Sequence, residues 1–351
     1  MKIQKFENTI PWPCKKVIFH AFIFFNSVFF IYEGFTQDIH FSQFNASPFN
    51  LNPALTGSFE GAYRFIGNER RQWASVTVPY QTFGISADGR DLFNSKLNAG
   101  ITVFSDKAGD SEFGTFQSGI SLGYALNLNS DSSQKLFFGV LPGITQRKVN
   151  YGNLQFDNQY NGRNFDPSIG NNENFTRENR IFFNAATGIF WTYKIAERKI
   201  ISSGISLYNL FKPGQSYFDN NQIRLDRRFN FHGLAQINLS EKIDLLPGFL
   251  VMKQGKFTEA DIGSSIKYIL DAQPFHYRAL FAGLYTRAKD AGFISVGMDY
   301  DNWNAGLSYD INYSKLRPAS NLRGGLEVSV VYIIRYLPPK RQPQKICPDY
   351  L

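Results

Sequence analysis

Polar and apolar positions alternate with a period of two along most of this chain, and Trp303–Tyr313 shows it most cleanly. Trp303, Ala305, Leu307, Tyr309, Ile311 and Tyr313 fall on one side, while Asn304, Gly306, Ser308, Asp310 and Asn312 fall on the other. Successive side chains of a strand point to opposite faces, so the stretch predicts a β-strand with one apolar and one polar face. Its length suits a tilted strand crossing a bilayer. Aromatic rings at both ends of the apolar face suit the two membrane interfaces.

The pattern recurs. Phe116, Ile120, Leu122, Tyr124, Leu126 and Leu128 oppose Gln117, Gly119, Ser121, Gly123 and Asn127. Ile201, Ile205 and Leu207 oppose Ser202, Gly204 and Ser206. Phe229, Phe231, Ala235, Ile237 and Leu239 oppose Asn230, His232, Gln236 and Asn238. Ile294, Val296, Met298 and Tyr300 oppose Ser295, Gly297 and Asp299. Leu326–Tyr336 alternates too, blurred by Val331 and Ile333. Weaker strands are expected near 63–73, 80–90, 96–106, 134–145, 181–193, 242–253, 257–269 and 275–285. The total is about fourteen, an even number as bacterial barrels carry.

The connections separate this pattern from that of a soluble sandwich. Alternate ones are short and polar, at 91–96, 129–133, 194–199, 239–243, 270–275 and 301–304. The intervening set holds the long ones, at 146–179, 211–226 and 314–323. Outer-membrane barrels have short periplasmic turns and longer outside loops. The parity puts Gln37 and Leu351 on the periplasmic side and the 146–179 loop outside.

Composition narrows the class further. Mean hydropathy is slightly negative, which excludes a helical membrane protein but not a barrel with half-apolar strands. The formal charge is +8, without the dense basic runs of a nucleic-acid surface, so no nucleic-acid partner is expected. Lys15 and Lys16 precede the apolar run Val17–Tyr32, and Gly34 and Thr36 put small residues just ahead of Gln37. These features predict a secretory signal peptide over 1–36. Cys14 leaves with it, and Cys347 then has no partner for an intramolecular disulfide.

No catalytic, cofactor or metal site is expected. His40, His232 and His276 lie far apart in sequence, and HExxH, CxxC and P-loop patterns are absent. Gly119–Gly123 matches G-x-S-x-G, but it sits inside an alternating strand rather than a strand–turn–helix elbow. His232 is expected in a polar network inside the barrel, because one histidine without carboxylate or thiol company makes neither metal site nor triad. Asp299 and Asp310 should pair with inward Arg or Lys.

Gln37–Gly57 shows no sustained alternation. Asn52 suits a helix N-cap, Pro53 the first helical position, and Gly57 a left-handed end, which together predict a short helical turn. Phe41, Phe44 and Phe49 would be costly to leave in water. The segment 37–62 is therefore expected to pack into or under the periplasmic opening as a latch ahead of a barrel spanning 63–336. Leu337–Leu351 is Pro-rich and cannot add a strand.

Several motifs carry a family resemblance: Gln37-Asp38, Phe41-Ser42-Gln43-Phe44, Pro48, and Asn52-Pro53-Ala54-Leu55-Thr56-Gly57. Arg64–Asn68, Arg71-Gln72-Trp73, Pro79-Tyr80 and Cys347-Pro348 continue it. In these the chain resembles the PorP/SprF family of type IX secretion system outer-membrane proteins. Ile39 stands where the family often has Pro, and Asp349-Tyr350-Leu351 replaces a more basic ending. The resemblance implies a non-enzymatic, fatty-acid-porter-like barrel in the outer membrane. It also implies service to secretion and gliding, with periplasmic secretion components and a secreted surface adhesin as partners besides the lipid bilayer. The tail, through Pro338, Pro339, Lys340, Cys347 and Pro348, is the expected periplasmic docking peptide. A diffusion channel for small or hydrophobic solutes is the alternative, because a barrel of this size encloses a lumen.

Overall fold

A half-apolar strand is stable in a bilayer only if every backbone group is paired, so such strands must close on themselves. The computed structural model shows that closure. It describes residues 38–72, 78–93, 95–109, 113–170, 177–218, 220, 222–273, 276–314 and 323–335. The expected signal peptide, Gln37, Trp73, Tyr336 and the tail with Pro338, Pro339, Lys340, Cys347 and Pro348 lie outside the described residues. Contacts divide the chain after Asp38, and the barrel unit runs from Ile39 onward.

The strands are β1 (Tyr63–Gln72), β2 (Tyr80–Leu92), β3 (Leu97–Ala108), β4 (Phe113–Asn127), β5 (Gln134–Lys148), β6 (Asn179–Ala196) and β7 (Lys199–Tyr208). They continue as β8 (Arg228–Asn238), β9 (Ile243–Gln254), β10 (Phe257–Gln273), β11 (His276–Arg287), β12 (Ala291–Tyr300), β13 (Trp303–Asn312) and β14 (Arg323–Ile334). Each pairs antiparallel with its sequence neighbours, and β1 pairs with β14 to close the barrel. This is the expected architecture. The shortest strands have 10 residues, enough for a tilted crossing. No helix among the described residues is long and apolar enough to cross a membrane.

Burial follows the alternation, with the usual sense inverted. Leu307 is 43% exposed on the outside, whereas Ser308 beside it is 1% exposed inside. Phe83, Ile101, Ile120, Val140, Ile205 and Val296 lie on the same outer surface. Thr102, Ser121, Ser206, Asn230, Ser295 and Ser329 are buried. Tyr63, Tyr124, Tyr268, Tyr300 and Trp303 mark the short-turn end of the outer surface with aromatic rings. Such rings settle at membrane interfaces.

The loop between β5 and β6 carries short 3-10 turns at Tyr151–Asn153 and Asp157–Gln159. Arg180, at the foot of β6, donates to the carbonyls of Gly214 (2.9 Å) and Ser216 (2.8 Å) in the β7–β8 loop, and Arg147 donates to Gln215. The ends of β5 and β6 therefore hold the β7–β8 loop in place.

Candidate functional site: the plugged lumen

The interior is filled by the chain's own N-terminal segment. This stretch has no strand to pair with, so its backbone groups need side-chain partners. Three short turns satisfy some of them locally: Phe44–Ala46, Pro48–Leu51 and Pro53–Leu55. The last is the expected turn. The Asn52 side chain accepts from the Ala54 backbone N–H at 2.9 Å, and Gly57 turns the chain at φ +73°. Pro48–Leu51 opens on Ser47-Pro48, a cap-type residue before a first-position proline, although Ser47 makes no side-chain cap bond, and Phe44–Ala46 has no clear signature in the sequence.

The wall completes the remainder. The Glu327 carboxylate on β14 accepts two successive backbone N–H groups, Ser42 at 2.7 Å and Gln43 at 2.8 Å. Arg70 on β1 donates to the His40 carbonyl at 2.7 Å. Arg228 on β8 donates to the carbonyls of Ile39 (2.9 Å) and Asn50 (3.0 Å) while lying over the Tyr208 ring. Tyr208 donates to the Phe49 carbonyl at 2.7 Å, and Ser206 and Asn230 both donate to that of Leu51 at 2.8 Å. Below them, the Asn52 side-chain nitrogen reaches the carbonyls of Ile189 and Ile205 and Nε2 of His232, at 3.0, 3.2 and 3.2 Å.

Nearer the short turns, Thr56 meets Ser121 at 2.5 Å, oxygen to oxygen. The Gly57 N–H donates to Asp88 at 2.8 Å, and Arg64 bridges Asp88 and the Leu55 carbonyl. The segment thus runs through the lumen. Ser42 and Gln43 meet Asp310 and Glu327 at the long-loop ends of β13 and β14, while Ala62 donates to the Ile334 carbonyl at the short-turn end. The structure carries the expected latch through the mouth, where Leu55 and Phe59 lie, and on into the lumen. The reason is physical: inside, its rings leave water, and bonds from the wall replace those its backbone groups would make to water.

Two features hold it in place. One is a buried charge cluster at the long-loop end. Asp310 lies 3.0 Å from Arg70 and 3.5 Å from Arg287. Arg287 also faces Asp261 at 3.3 Å and Glu259 at 3.4 Å, and His40 of the plug lies 3.7 Å from Glu259. Ser42 joins the two halves, donating to Asp310 at 2.9 Å and accepting from Arg287 at 3.0 Å. Removing one partner from such a dry cluster leaves a charge uncompensated, which is strongly destabilising. The other feature is close approach. A side chain at Gly139 on β5 would meet the backbone of Pro53 and Ala54, and one at Gly188 on β6 would meet Asn52.

Most inward expectations hold. Asp310 pairs with Arg70 as above, and Asp299 pairs with Lys267 at 2.7 Å. His232 is fully buried and stacks on Phe190 at 5.8 Å between ring centres. Ser121 points at the plug from within β4, with no elbow around it. Of the family-motif positions, Phe41 is buried against Phe104, Ser42 and Gln43 dock on the charge cluster, and Asn52, Pro53, Ala54 and Gly57 form the central turn. Arg70, Arg228, Glu259, Asp261, Arg287 and Glu327 are not singled out by sequence. Their only signal is a charge on the inward phase of a strand.

Space remains on the short-turn side of the plug. A cavity of about 500 Å³ at the mouth, between Leu55, Phe59, Phe137 and Phe190, shares Asn45, Ile200, Ser202, Leu234 and Gln236 with a deeper one of about 270 Å³. Phe281, Tyr285 and Phe293 line the deeper end.

Comparison with known proteins agrees with this architecture. The family model described as type IX secretion system membrane protein PorP/SprF matches residues 33–332. No curated protein matches the sequence. The Ralstonia pickettii toluene transporter TbuX is similar in fold, with a TM-score of 0.50 at 9% identity over 82% of this chain and 92% of that one. The Pseudomonas putida toluene transporter TodX gives 0.48 at 12% identity, over 85% and 95% of the two chains. The monoaromatic hydrocarbon channel CymD gives 0.49 at 11%, over 83% and 93%.

Proposed function

Because the chain belongs to the PorP/SprF family of type IX secretion system membrane proteins, we propose that this outer-membrane barrel is a non-enzymatic assembly and anchoring component of that system. It supports secretion or surface display of a cargo adhesin. The observation that carries the reading is the filled lumen. A barrel whose interior is crossed by its own chain, bonded to the wall along its length, is not built as an open pore. Its function then lies at its two ends. At one end the long loops face outward, with the β7–β8 loop held on the ends of β5 and β6. At the other, the Pro-rich tail is the docking peptide, since pre-extended segments bind partners with little loss of entropy.

Deleting Pro338–Leu351 tests the reading. The barrel should insert normally, because β14 remains, while secretion or adhesin display fails. Normal secretion by the truncated protein would overturn the docking role.

A second reading, passage of small apolar solutes, draws on the two cavities with shared walls. It requires the plug to move. Uptake of a small aromatic probe into vesicles holding the intact barrel would favour it.

A further inference from the structure

The outer surface carries a row of cations that neither the lumen nor the loops use. Following the ladder from β1, Arg71 pairs with Gln81, Gln81 with Lys107, Lys107 with Gly114, Gly114 with Lys148, and Lys148 with Asn179. All of these share the outward phase, and Arg71, Lys107 and Lys148 are exposed. None of the three side chains makes an ion pair or hydrogen bond with a described residue. On that face Glu69 of β1 accepts from Gln81 at 3.0 Å.

The row lies where the apolar surface stops. The next apolar outward residues along β2 to β5 are Phe83, Val103, Phe116 and Ile144. Strands lie about 4.8 Å apart, so Lys107 and Lys148 flank a notch roughly 10 Å wide, and Gly114 leaves it without a side chain. The aromatic belt at the short-turn end has no such row across these strands: Leu97, Tyr124 and Leu126 stand there instead.

We propose that Arg71, Lys107 and Lys148 form a binding site for anionic, phosphate-bearing lipid headgroups of the leaflet at the long-loop end. Acyl chains lie on Phe83, Val103, Phe116 and Ile144, and phosphates take the unpaired cations above them. An aqueous anion would have no use for the apolar half of this surface. The site is independent of the secretion reading.

The test uses the full chain, purified from outer membranes in mild detergent and stripped of lipid. It is titrated with phosphatidylglycerol and, as the neutral comparator, phosphatidylcholine. Each cation near an anionic lipid surface contributes about fivefold in affinity, so the variant R71Q/K107Q/K148Q should lose on the order of a hundredfold for phosphatidylglycerol. The loss should shrink as salt screens the exposed charges. K253Q, on β9 between Phe229 and Thr258, should change binding by no more than about fivefold.

Heat-modifiable migration reports whether each variant folds. Equal binding of the two lipids by the wild type overturns the proposal even if the triple variant does not fold. So does an acidic protein that co-purifies with the wild type in equal amounts and is lost with the three cations, because the row would then be a protein contact.

Discussion

Leu307 and Ser308 put the two solvents of this protein on neighbouring residues. Leu307 faces lipid near the middle of β13, and arginine there should cost about 2–4 kcal/mol. The inward side is not uniformly cheap, however. Ser308 is buried, so a charge there would also meet a dry site. Ser202, which lines both cavities, is the better inward comparison. Denaturant titration of refolded barrels should show Leu307→Arg as the costlier change by at least about 2 kcal/mol. Comparable losses at both sites would count against lipid on the outside. Glu327 makes a second residue-scale case. Glu327→Gln keeps its shape but leaves one plug N–H facing an amide donor instead of a carboxylate oxygen. A charge-assisted bond of this kind is worth about 1.5–3 kcal/mol, and the plug should loosen by that amount. Faster proteolysis within residues 39–46 of the folded barrel would report it.

At the scale of elements, legibility follows the range of the interactions. The strands are readable because alternation is local, and their expected limits fall within a few residues of those observed. The Asn52–Gly57 turn is readable because cap, proline and glycine sit in one short stretch. The path of the plug is not. Its bonds join residues as far apart as Ser42 and Glu327, 285 positions in sequence, and no local pattern carries such a pairing. Alternation assigns Asp310 and Glu327 to the interior, but not which arginine they meet there. The loop between β5 and β6 is readable as long and, by parity, external. Exposed Asn161–Asn164 at its tip should accept an epitope that antibodies detect on intact cells. Labelling only after the outer membrane is opened would reverse the assignment of the two ends.

For the whole molecule, the filled lumen separates two roles that a barrel often combines, permeation and attachment. Gly139→Leu should separate them experimentally. The added side chain meets the backbone of Pro53 and Ala54, which a rotamer change cannot relieve, so the central turn must leave its seat. The barrel's own ladder does not depend on that contact. Planar-bilayer recordings should therefore show a conducting pore for Gly139→Leu and a closed one for the wild type. If attachment is the function, cells carrying this variant should leak small solutes and become sensitive to bulky antibiotics, yet secrete and display their cargo as before. Removal of Pro338–Leu351 should give the opposite pair: a tight membrane and failed secretion. Loss of secretion on unseating the plug alone, with the tail intact and the barrel inserted, would move the functional site from the ends of the barrel into its lumen.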